Sequence, residues 1–351
     1  MNARAALIDL LFVISPHSLL LDIAGPAEAF RLANLCYADR QQPPRFRLRF
    51  AGPVASPATS VGLPLAQLEP LPKHIKSPTW VILVGQPTVH VQQVTPPIHA
   101  VAQWLRKVVR ERVQSADTQN RLLTICSGTL LAARAGLLDD RQCTTHHDLL
   151  ALLRTLAPRS LVVANRVFVV DGPVASSAGI TAGIDLALHL IAAECGEALA
   201  TNVAEDMVVY LRRSSRDPEL SPFLINRRHP HDAVHRVQNA ICAQPERDWT
   251  MPAMAAIGHV TGRHLLRLFV HHAGVSPLEF LRVIRLERAR QLIERGASVA
   301  HAAEVAGFRS DLHLRRTWHR QWGGSPRDAQ KTANERRRVS SRSETLILRD
   351  R

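Results

Sequence analysis

Apolar and polar positions follow two different patterns along the chain, and the change comes near residue 210. Before it, runs of consecutive apolar residues, such as 5–14, 80–85 and 121–126, are separated by segments with the 3.6-residue period of helices. Continuous apolar runs are typical of strands that are buried on both faces, as in a parallel sheet. The first part is therefore predicted to be an α/β open sandwich, with a mostly parallel sheet between two layers of helices.

Three local patterns in this first part have consequences for function. Residues 19–34 are typical of a loop that enters an amphipathic helix, with Pro26 in the first turn of that helix. The apolar run that ends at Cys126 continues without a spacer into a helical pattern, so Cys126 stands at a strand-to-helix turn. Residues 161–170 predict a short β-hairpin that turns at Asn165 and Arg166.

After residue 231 only helical patterns remain, and one of them occurs twice. Residues 254–269 and 302–318 each combine a short apolar helix, a turn near a glycine, and a second helix. That second helix has Arg on one face and Leu plus an aromatic residue on the other, and each copy is followed by a Ser-Pro pair. This arrangement predicts two helix-turn-helix motifs in tandem within an all-α domain.

Net charge divides the chain at the same place. The formal net charge is +14; residues 226–351 hold 23 Lys and Arg against 12 Asp and Glu, net +11, whereas residues 1–225 hold 21 and 18, net +3. A basic excess beside the helix-turn-helix patterns is what binding to a polyanion requires. The predicted domains are residues 1–210 and 232–331, joined by a linker at 211–231 and followed by a basic, disordered tail at 332–351.

The predicted DNA contacts lie on the second helix of each motif, because that helix enters the major groove of double-stranded DNA. These recognition helices are expected at about residues 261–271 and 310–320. Leu265, Leu268 and Phe269 are expected to be buried in the first, and Leu312 with Trp318 in the second. The candidate contacts are Gly262, Arg263, His264, Leu266, Arg267, Arg309, Ser310, Asp311, His313, Arg315 and Arg316.

Individual roles within this set stay open. Arg263, Arg267 and Arg316 are candidates for bidentate bonds to guanine, and each is also suited to phosphate. Asp311 could accept a hydrogen bond from cytosine or cap its own helix. The connecting helix, at about residues 277–295, is expected to hold the two recognition helices about one DNA turn, ~34 Å, apart.

The five cysteines indicate a reducing compartment. They stand at positions 36, 126, 143, 195 and 242, without the spacing of a zinc site, and their odd number argues against a disulfide framework. No metal and no cofactor are expected. The apolar run 5–14 contains Asp9 and lacks a cleavage site, so it favours a strand over a signal peptide. The prediction is a cytoplasmic protein without a membrane partner.

Cys126 is the residue of the first part with the clearest chemical potential. A sharp strand-to-helix turn lifts a side chain over the C-terminal edge of a sheet, and the following helix N-terminus favours a thiolate. His146 could pair with the thiol, and Asp22, at the end of the first strand, could supply an acid. The alternative is a buried structural cysteine, which is the more frequent role of a single Cys.

The first part resembles the PfpI/ThiJ group of the class I glutamine-amidotransferase-like superfamily, in its GlxA-type branch. Residues 21–26, 126–128, 131–138, 144–146 and 177–185 carry this resemblance. It implies an amidotransferase-like fold over residues 5–205, with Cys126 at the position of the nucleophile, Asp22 at that of an acidic residue and His146 at that of a histidine. Enzymes of the group often have a Gly-Gly pair that supplies backbone N–H groups to an oxyanion, and here Gly85-Gln86 replaces it.

The second part resembles the AraC/XylS family of transcription regulators, over residues 235–330. The residues that carry this resemblance are Leu265, Arg267, Phe269, 285–292, 306–308, Arg316, Trp318 and 324–326. Two such domains in this order resemble the GlxA-type regulators, in which a catalytically silent amidotransferase-like domain senses a small metabolite.

The resulting hypothesis is a homodimeric, sequence-specific transcriptional regulator whose first domain binds a small effector, either an amino acid or a quaternary amine. The predicted ligand-binding residues are Asp22, Gly85, Gln86, Cys126, Ser127 and His146. No residue is assigned a catalytic role, and Asp22, Cys126 and His146 are candidates for a vestigial site. The alternative is a cysteine-dependent hydratase or amidase-like enzyme with an appended DNA-binding module.

Overall fold

The chain folds into two compact units, Met1–Glu219 (unit 1) and Leu220–Arg351 (unit 2). The computed structural model describes residues 6–91, 93–115, 119–209, 212–215 and 217–330. The division falls inside the predicted linker 211–231, and the predicted tail 332–351 lies outside the described residues. The predicted domain limits themselves stay predictions.

Unit 1 is built on a seven-stranded, mostly parallel sheet. Its strand order is β3-β2-β1-β4-β5-β9-β8, and β8 is antiparallel to β9. A separate parallel pair joins β6 to β7. The strands are β1 Ile8–Val13, β2 Phe46–Gly52, β3 Glu69–Pro70, β4 Thr79–Leu83, β5 Arg121–Ile125, β6 Gln142–Cys143, β7 Leu161–Val162, β8 Phe168–Asp171 and β9 Val174–Ser177.

Helices cover both faces of this sheet, so the predicted α/β open sandwich is confirmed. Every residue of β1 and β4 is buried, as continuous apolar runs require. One core lies between the sheet and α1, α7 and α8, and a second core lies on the opposite face, with α3 and α5. The helices are α1 Leu20–Asp39, α2 Thr88–Val91, α3 Pro96–Trp104, α4 Arg110–Gln114, α5 Gly128–Arg134, α6 Leu150–Leu156, α7 Ala182–Cys195 and α8 Glu197–Asp206.

Two local predictions for unit 1 are wrong. Residues 161–170 do not form a hairpin, because Leu161 and Val162 pair with β6 and the antiparallel turn falls instead at Gly172 and Pro173, between β8 and β9. The first helix begins at Leu20, so Pro26 lies inside it rather than in its first turn. Asp22 therefore belongs to the first turn of α1 and not to a preceding loop.

Five of the six helices described in unit 2, α10 to α14, share one capping pattern at their starts. Thr250, Thr261, Ser276, Ser298 and Ser310 precede α10 to α14, and each hydroxyl accepts the backbone N–H of the residue three positions later at 3.1–3.3 Å. The helices are α9 Asp232–Ala243, α10 Met251–Gly258, α11 Gly262–Ala273, α12 Pro277–Glu294, α13 Val299–Val305 and α14 Asp311–Trp322.

The connecting helix α12 is shared by two separate cores. Its first half contributes Phe280 and Ile284 to a core with α9, α10 and α11. Its second half contributes Leu286 and Ile293 to a core with α13 and α14. At 18 residues α12 is about 27 Å long, so it holds the two helix-turn-helix motifs apart as independently packed modules. Across the described residues, no helix is long and apolar enough to cross a membrane.

Candidate functional sites: the Cys126 site and the DNA interface

Cys126 lies on a strained turn between β5 and α5. Its φ of +55° places it in the left-handed region, which residues other than glycine seldom adopt. Its backbone N–H donates to the carbonyl oxygen of Ser177 at 3.0 Å, and its own carbonyl oxygen accepts the Thr145 hydroxyl at 2.8 Å. The turn is therefore held from two other segments, as predicted for a residue raised over the end of the sheet.

Asp22 is fully buried next to Cys126, at the same edge of the sheet. Its Oδ2 accepts the backbone N–H of Gly85 at 3.1 Å, and its Oδ1 accepts that of Ile180 at 3.0 Å. A Cβ on Gly85 would stand 2.7 Å from Asp22 Oδ2 and 2.8 Å from Cys126 Cβ. The structure thus brings Asp22, Gly85 and Cys126 together, as the sequence predicted.

The segment after β9 is the second strained backbone at this site. Ile180 has a φ of +42°, which is a marked outlier for a β-branched residue. The neighbouring Gly179 has a φ of +123°, and a Cβ there would meet Cys126 Sγ at 2.7 Å. In the sequence, a helical pattern over residues 176–190 hides this turn, although Gly179 is a visible signal for it.

The backbone N–H groups of Gly85 and Gln86, which stand where the enzymes have a Gly-Gly pair, are already bonded within the protein. Gly85 N–H donates to Asp22, and Gln86 N–H donates to Ser127 Oγ at 2.6 Å. The Ser127 hydroxyl in turn donates to the Gln86 carbonyl oxygen at 2.8 Å. Replacement of a Gly-Gly pair by Gly85-Gln86 therefore comes with a closed hydrogen-bond ring between Gln86 and Ser127.

Burial sets the protonation of both titratable groups. Desolvation raises the pKa of Asp22 to about 6, against the two backbone hydrogen bonds that lower it. Burial also raises the pKa of the Cys126 thiol to about 12, and the negative charges of Asp22 and Glu219 add to this. At neutral pH Cys126 is therefore a thiol beside a largely ionised carboxylate, which is the opposite of an activated nucleophile.

His146 lies at the N-cap of a short 3-10 turn, His147–Leu149, which precedes α6. Its Nδ1 accepts the Asp148 N–H at 3.4 Å, and its ring centroid is 4.1 Å from that of His147. Glu219, which sequence analysis did not select, accepts from the His147 N–H at 3.0 Å. Because 72 residues separate Glu219 from His147 in the chain, no spacing rule could have paired them.

The cavity found in unit 1 lies away from the Cys126 site. A cavity of about 560 Å³ lies where β1, β4 and β5 begin, lined by Trp80, Arg121 and the ion pair of Arg45 with Glu194. Cys126 stands beyond the opposite end of β5, and it is only 4% exposed. The Cys126 site is thus closely packed, and the predicted ligand pocket at this site stays a prediction.

Two exposed helices of unit 2 provide the candidate DNA interface. The recognition helices are α11 and α14, which agree with the predicted limits within two residues. On α11, Leu265 and Phe269 are buried, while Arg263, Leu266 and Arg267 are exposed. Gly262 and His264 are half-buried at its first turn.

On α14 the buried face differs from the predicted one. Leu312 is 52% exposed, and Leu314 and Trp318 are the buried apolar residues. Ser310, not Asp311, caps the helix, and Asp311 lies 3.4 Å from Arg315, one turn further on. The remaining predicted contacts, Arg309, His313 and Arg316, are all exposed.

One of the two candidate base-reading arginines of α11, Arg267, is already oriented by a neighbour. Arg267 Nη2 lies 2.9 Å from His264 Nδ1, one helical turn earlier on the same exposed face. Such a contact reduces the number of conformations that the long Arg side chain explores, so less side-chain entropy is lost when it binds a base.

Comparisons with known proteins agree with this architecture. Residues 99–193 match the model of the DJ-1/PfpI family, and residues 254–332 match that of a helix-turn-helix domain. The chain is 32% identical over 322 residues to the HTH-type transcriptional regulator CdhR of Pseudomonas aeruginosa, covering 91% of this chain and 90% of CdhR.

Two shorter matches add detail. The HTH-type transcriptional regulator GlxA of Rhizobium meliloti is 30% identical over 207 residues, which are 59% of this chain and 64% of GlxA. An isonitrile hydratase of Pseudomonas putida is 40% identical over 82 residues, which are 22% of this chain and 33% of the enzyme. Since the match to CdhR spans nearly the full length of both chains, this chain belongs to the family of HTH-type transcriptional regulators in which a DJ-1/PfpI domain precedes an AraC-type helix-turn-helix domain, and it is a DNA-binding regulator.

Proposed function

We propose that unit 1 is a catalytically silent sensor that binds a small metabolite beside Asp22 and Cys126, and that a cytoplasmic homodimer of the chain responds by changing its DNA binding. The observation that carries this proposal is Asp22, a fully buried carboxylate whose pKa is raised to about 6. An ionised carboxylate in apolar surroundings is stabilised by a cation, so an amino acid or a quaternary amine fits its charge.

The strained backbone supports a role in signalling. Cys126 and Ile180 both have positive φ values, and the Ile180 N–H is one of the two donors to Asp22. Strain of this kind persists at ligand clamps and switches, where a small displacement releases it. A ligand that displaces the Ile180 N–H from Asp22 would move the β9–α7 segment. The proposed ligand contacts are Asp22, Gly85, Gln86, Cys126, Ser127 and His146.

A thermal-shift screen of amino acids and quaternary amines on the full chain tests this function. A hit is expected to raise the Tm of the wild type in proportion to the logarithm of its concentration above Kd. The shift should disappear in Asp22→Asn and persist in Asp39→Asn, which alters an exposed carboxylate at the other end of α1. A hit that stabilises the Asp22→Asn variant equally would place the effector elsewhere, for example in the cavity near Trp80.

Replacing Arg267 by Ala is expected to weaken binding to a selected operator by about 1–3 kcal/mol, because bidentate contacts to a base edge are lost. Binding to random DNA should change little. The operator is first obtained by selection from random duplexes with the wild-type chain, and affinities are then measured at fixed salt, since phosphate contacts make binding salt-dependent.

Arg320→Ala is the matched control for this measurement. It removes the same charge from an exposed position at the C-terminal end of α14, whereas base contacts come from the N-terminal residues of recognition helices. It is expected to affect operator and random DNA alike. If Arg267→Ala also lowers both affinities equally, Arg267 binds phosphate and does not read bases.

One observation favours the enzyme alternative: the positive φ of Cys126 is the backbone geometry of an exposed nucleophile on a strand-to-helix turn. The raised pKa of the Cys126 thiol and the hydrogen-bonded N–H groups of Gly85 and Gln86 favour a unit 1 without catalytic activity. Alkylation by iodoacetamide distinguishes the two hypotheses, because only the thiolate reacts. The modified residue is identified by mass spectrometry of its peptide.

The rate at Cys126 is expected to rise with pH beyond pH 10 without a plateau, as a pKa of about 12 requires. Cys36, a half-buried thiol on α1, serves as the internal comparison in the same sample. A plateau at Cys126 below pH 8, or isonitrile hydration that Cys126→Ser abolishes, would contradict silence and establish the enzyme alternative.

A further inference from the structure

Three consecutive side chains before α6 direct their ligand atoms toward one another. One imidazole nitrogen of His146, one of His147 and a carboxylate oxygen of Asp148 all lie within 4.8 Å of one another. His146 Nδ1 is 3.8 Å from Asp148 Oδ2, and His147 Nε2 is 3.6 Å from Asp148 Oδ1. All three side chains are partly exposed, so a hydrated ion can reach them.

Glu219 fixes the orientation of one of these imidazoles. Its Oε1 lies 2.8 Å from His147 Nδ1 and also accepts the His147 backbone N–H at 3.0 Å. The Glu219 side chain is only 9% exposed, so this carboxylate is held in place. When Nδ1–H donates to Glu219, the lone pair of His147 is on Nε2, which is the nitrogen near Asp148. A carboxylate on the far nitrogen is the usual support of a metal-bound histidine.

One cation could contact all three ligand atoms, because they lie within 4.8 Å of one another. A metal ion would accept one lone pair from each ring and one from the Asp148 carboxylate. Two imidazole nitrogens and a carboxylate oxygen suit Zn²⁺, Co²⁺ and Ni²⁺ better than Mg²⁺ or Ca²⁺.

We propose that His146, His147 and Asp148 bind a divalent transition-metal cation, with Glu219 as the residue that positions His147. Three protein ligands leave a coordination position for water or for a donor atom of a ligand. The site follows Thr145, whose hydroxyl holds the Cys126 carbonyl, and Glu219 is the last residue of unit 1. The cation therefore ties the Cys126 turn to the segment from which the chain continues into unit 2. The sequence predicted no metal site, because adjacent histidines do not form a recognised ligand spacing.

Titration of the full chain with Co²⁺, followed by visible absorption and by competition with Zn²⁺, tests this site. His147→Gln and Asp148→Asn are expected to remove one binding event that the wild type and His74→Gln retain; His74 is an exposed histidine of the same unit outside the cluster. Glu219→Gln should keep the ligands and weaken the affinity roughly 10- to 100-fold.

Unit 2 has its own histidine cluster, with ring centroids as close as 4.3 Å, which can also bind Co²⁺. The test therefore rests on the number of Co²⁺ ions that each variant loses relative to the wild type, not on the total number bound. Thermal unfolding in a chelator confirms that each variant is folded before titration. If His147→Gln, Asp148→Asn and His74→Gln bind Co²⁺ as the wild type does, the cluster is an ion pair of His147 with Asp148 and Glu219, and the proposal is wrong.

Discussion

Replacing Gly128 by Ala is expected to destabilise unit 1 by about 3 kcal/mol or more. A Cβ on Gly128 would stand 2.2 Å from the carbonyl oxygen of Leu83 and 2.8 Å from its carbonyl carbon. These atoms belong to the backbone of β4, which pairs with both β1 and β5. Neither partner can move without disturbing the sheet. The gain in helix propensity, about 0.5–1 kcal/mol, does not offset this overlap.

The comparison variant is Gly262→Ala. Gly262 is the first residue of α11, as Gly128 is of α5, but a Cβ there meets no atom within 4 Å. It is expected to leave unit 2 unchanged or slightly more stable. Because two units need not unfold together, hydrogen exchange of β4 and α11 peptides in increasing denaturant measures each one separately. A loss below about 1 kcal/mol in Gly128→Ala would contradict the close approach of α5 to β4.

The periodicity of apolar residues predicted the longer strands and the helices, but not elements that are too short to show a period. Strands β1 and β4 are five or six residues long and buried throughout, so a continuous apolar run predicts them directly. Strands β6 and β7 have two residues each, which is too short for any pattern. Because β6 and β7 could not be predicted, the pattern of residues 161–170 favoured a hairpin. The pairing of Leu161 and Val162 is decided by their partner strand β6, which lies elsewhere in the chain.

The buried face of α14 in unit 2 was predicted wrongly for a different reason. Leu312 and Leu314 are two residues apart, and both are apolar enough for the core. Leu314 lies one helical turn before the buried Trp318, whereas Leu312 lies six residues before it and points to another face, so the helical period itself favours Leu314 as the buried residue. The exposed Leu312 now belongs with the candidate DNA-facing residues, where an apolar side chain can contact the methyl group of thymine.

For the Cys126 site, the sequence predicted which residues come together but not their protonation states. Residue types and a turn pattern pointed to Asp22, Gly85 and Cys126, and the structure brings them together. Their protonation depends on burial and on which N–H groups reach Asp22, and these come from segments 63 and 158 residues away. Chemistry at such a site is therefore a property of the folded chain, and the nucleophile that the turn suggested is a protonated thiol.

The stability of the wild type relative to Asp22→Asn is expected to fall by about 2 kcal/mol as the pH rises from about 4 to about 7. Burial raises the pKa of Asp22 from its ordinary value of 3.8 to about 6, so the folded state holds a proton that the unfolded state has already released. Since the unfolded chain binds fewer protons in this interval, the free energy of unfolding decreases with pH. Above about pH 7 both states are ionised, and the difference becomes constant.

The measurement is denaturant unfolding of unit 1, at intervals between pH 4 and pH 8, in wild type, Asp22→Asn and Asp39→Asn. In each comparison, all groups other than the replaced carboxylate titrate alike in the two chains and cancel in the difference. Asp39→Asn, at the exposed end of α1, should follow the wild type. A difference that does not vary with pH would mean that Asp22 keeps its ordinary pKa. A difference of opposite sign would mean that the hydrogen bonds from the N–H groups of Gly85 and Ile180 outweigh desolvation. The buried Asp22 carboxylate would then carry no energetic cost for a cationic effector to relieve.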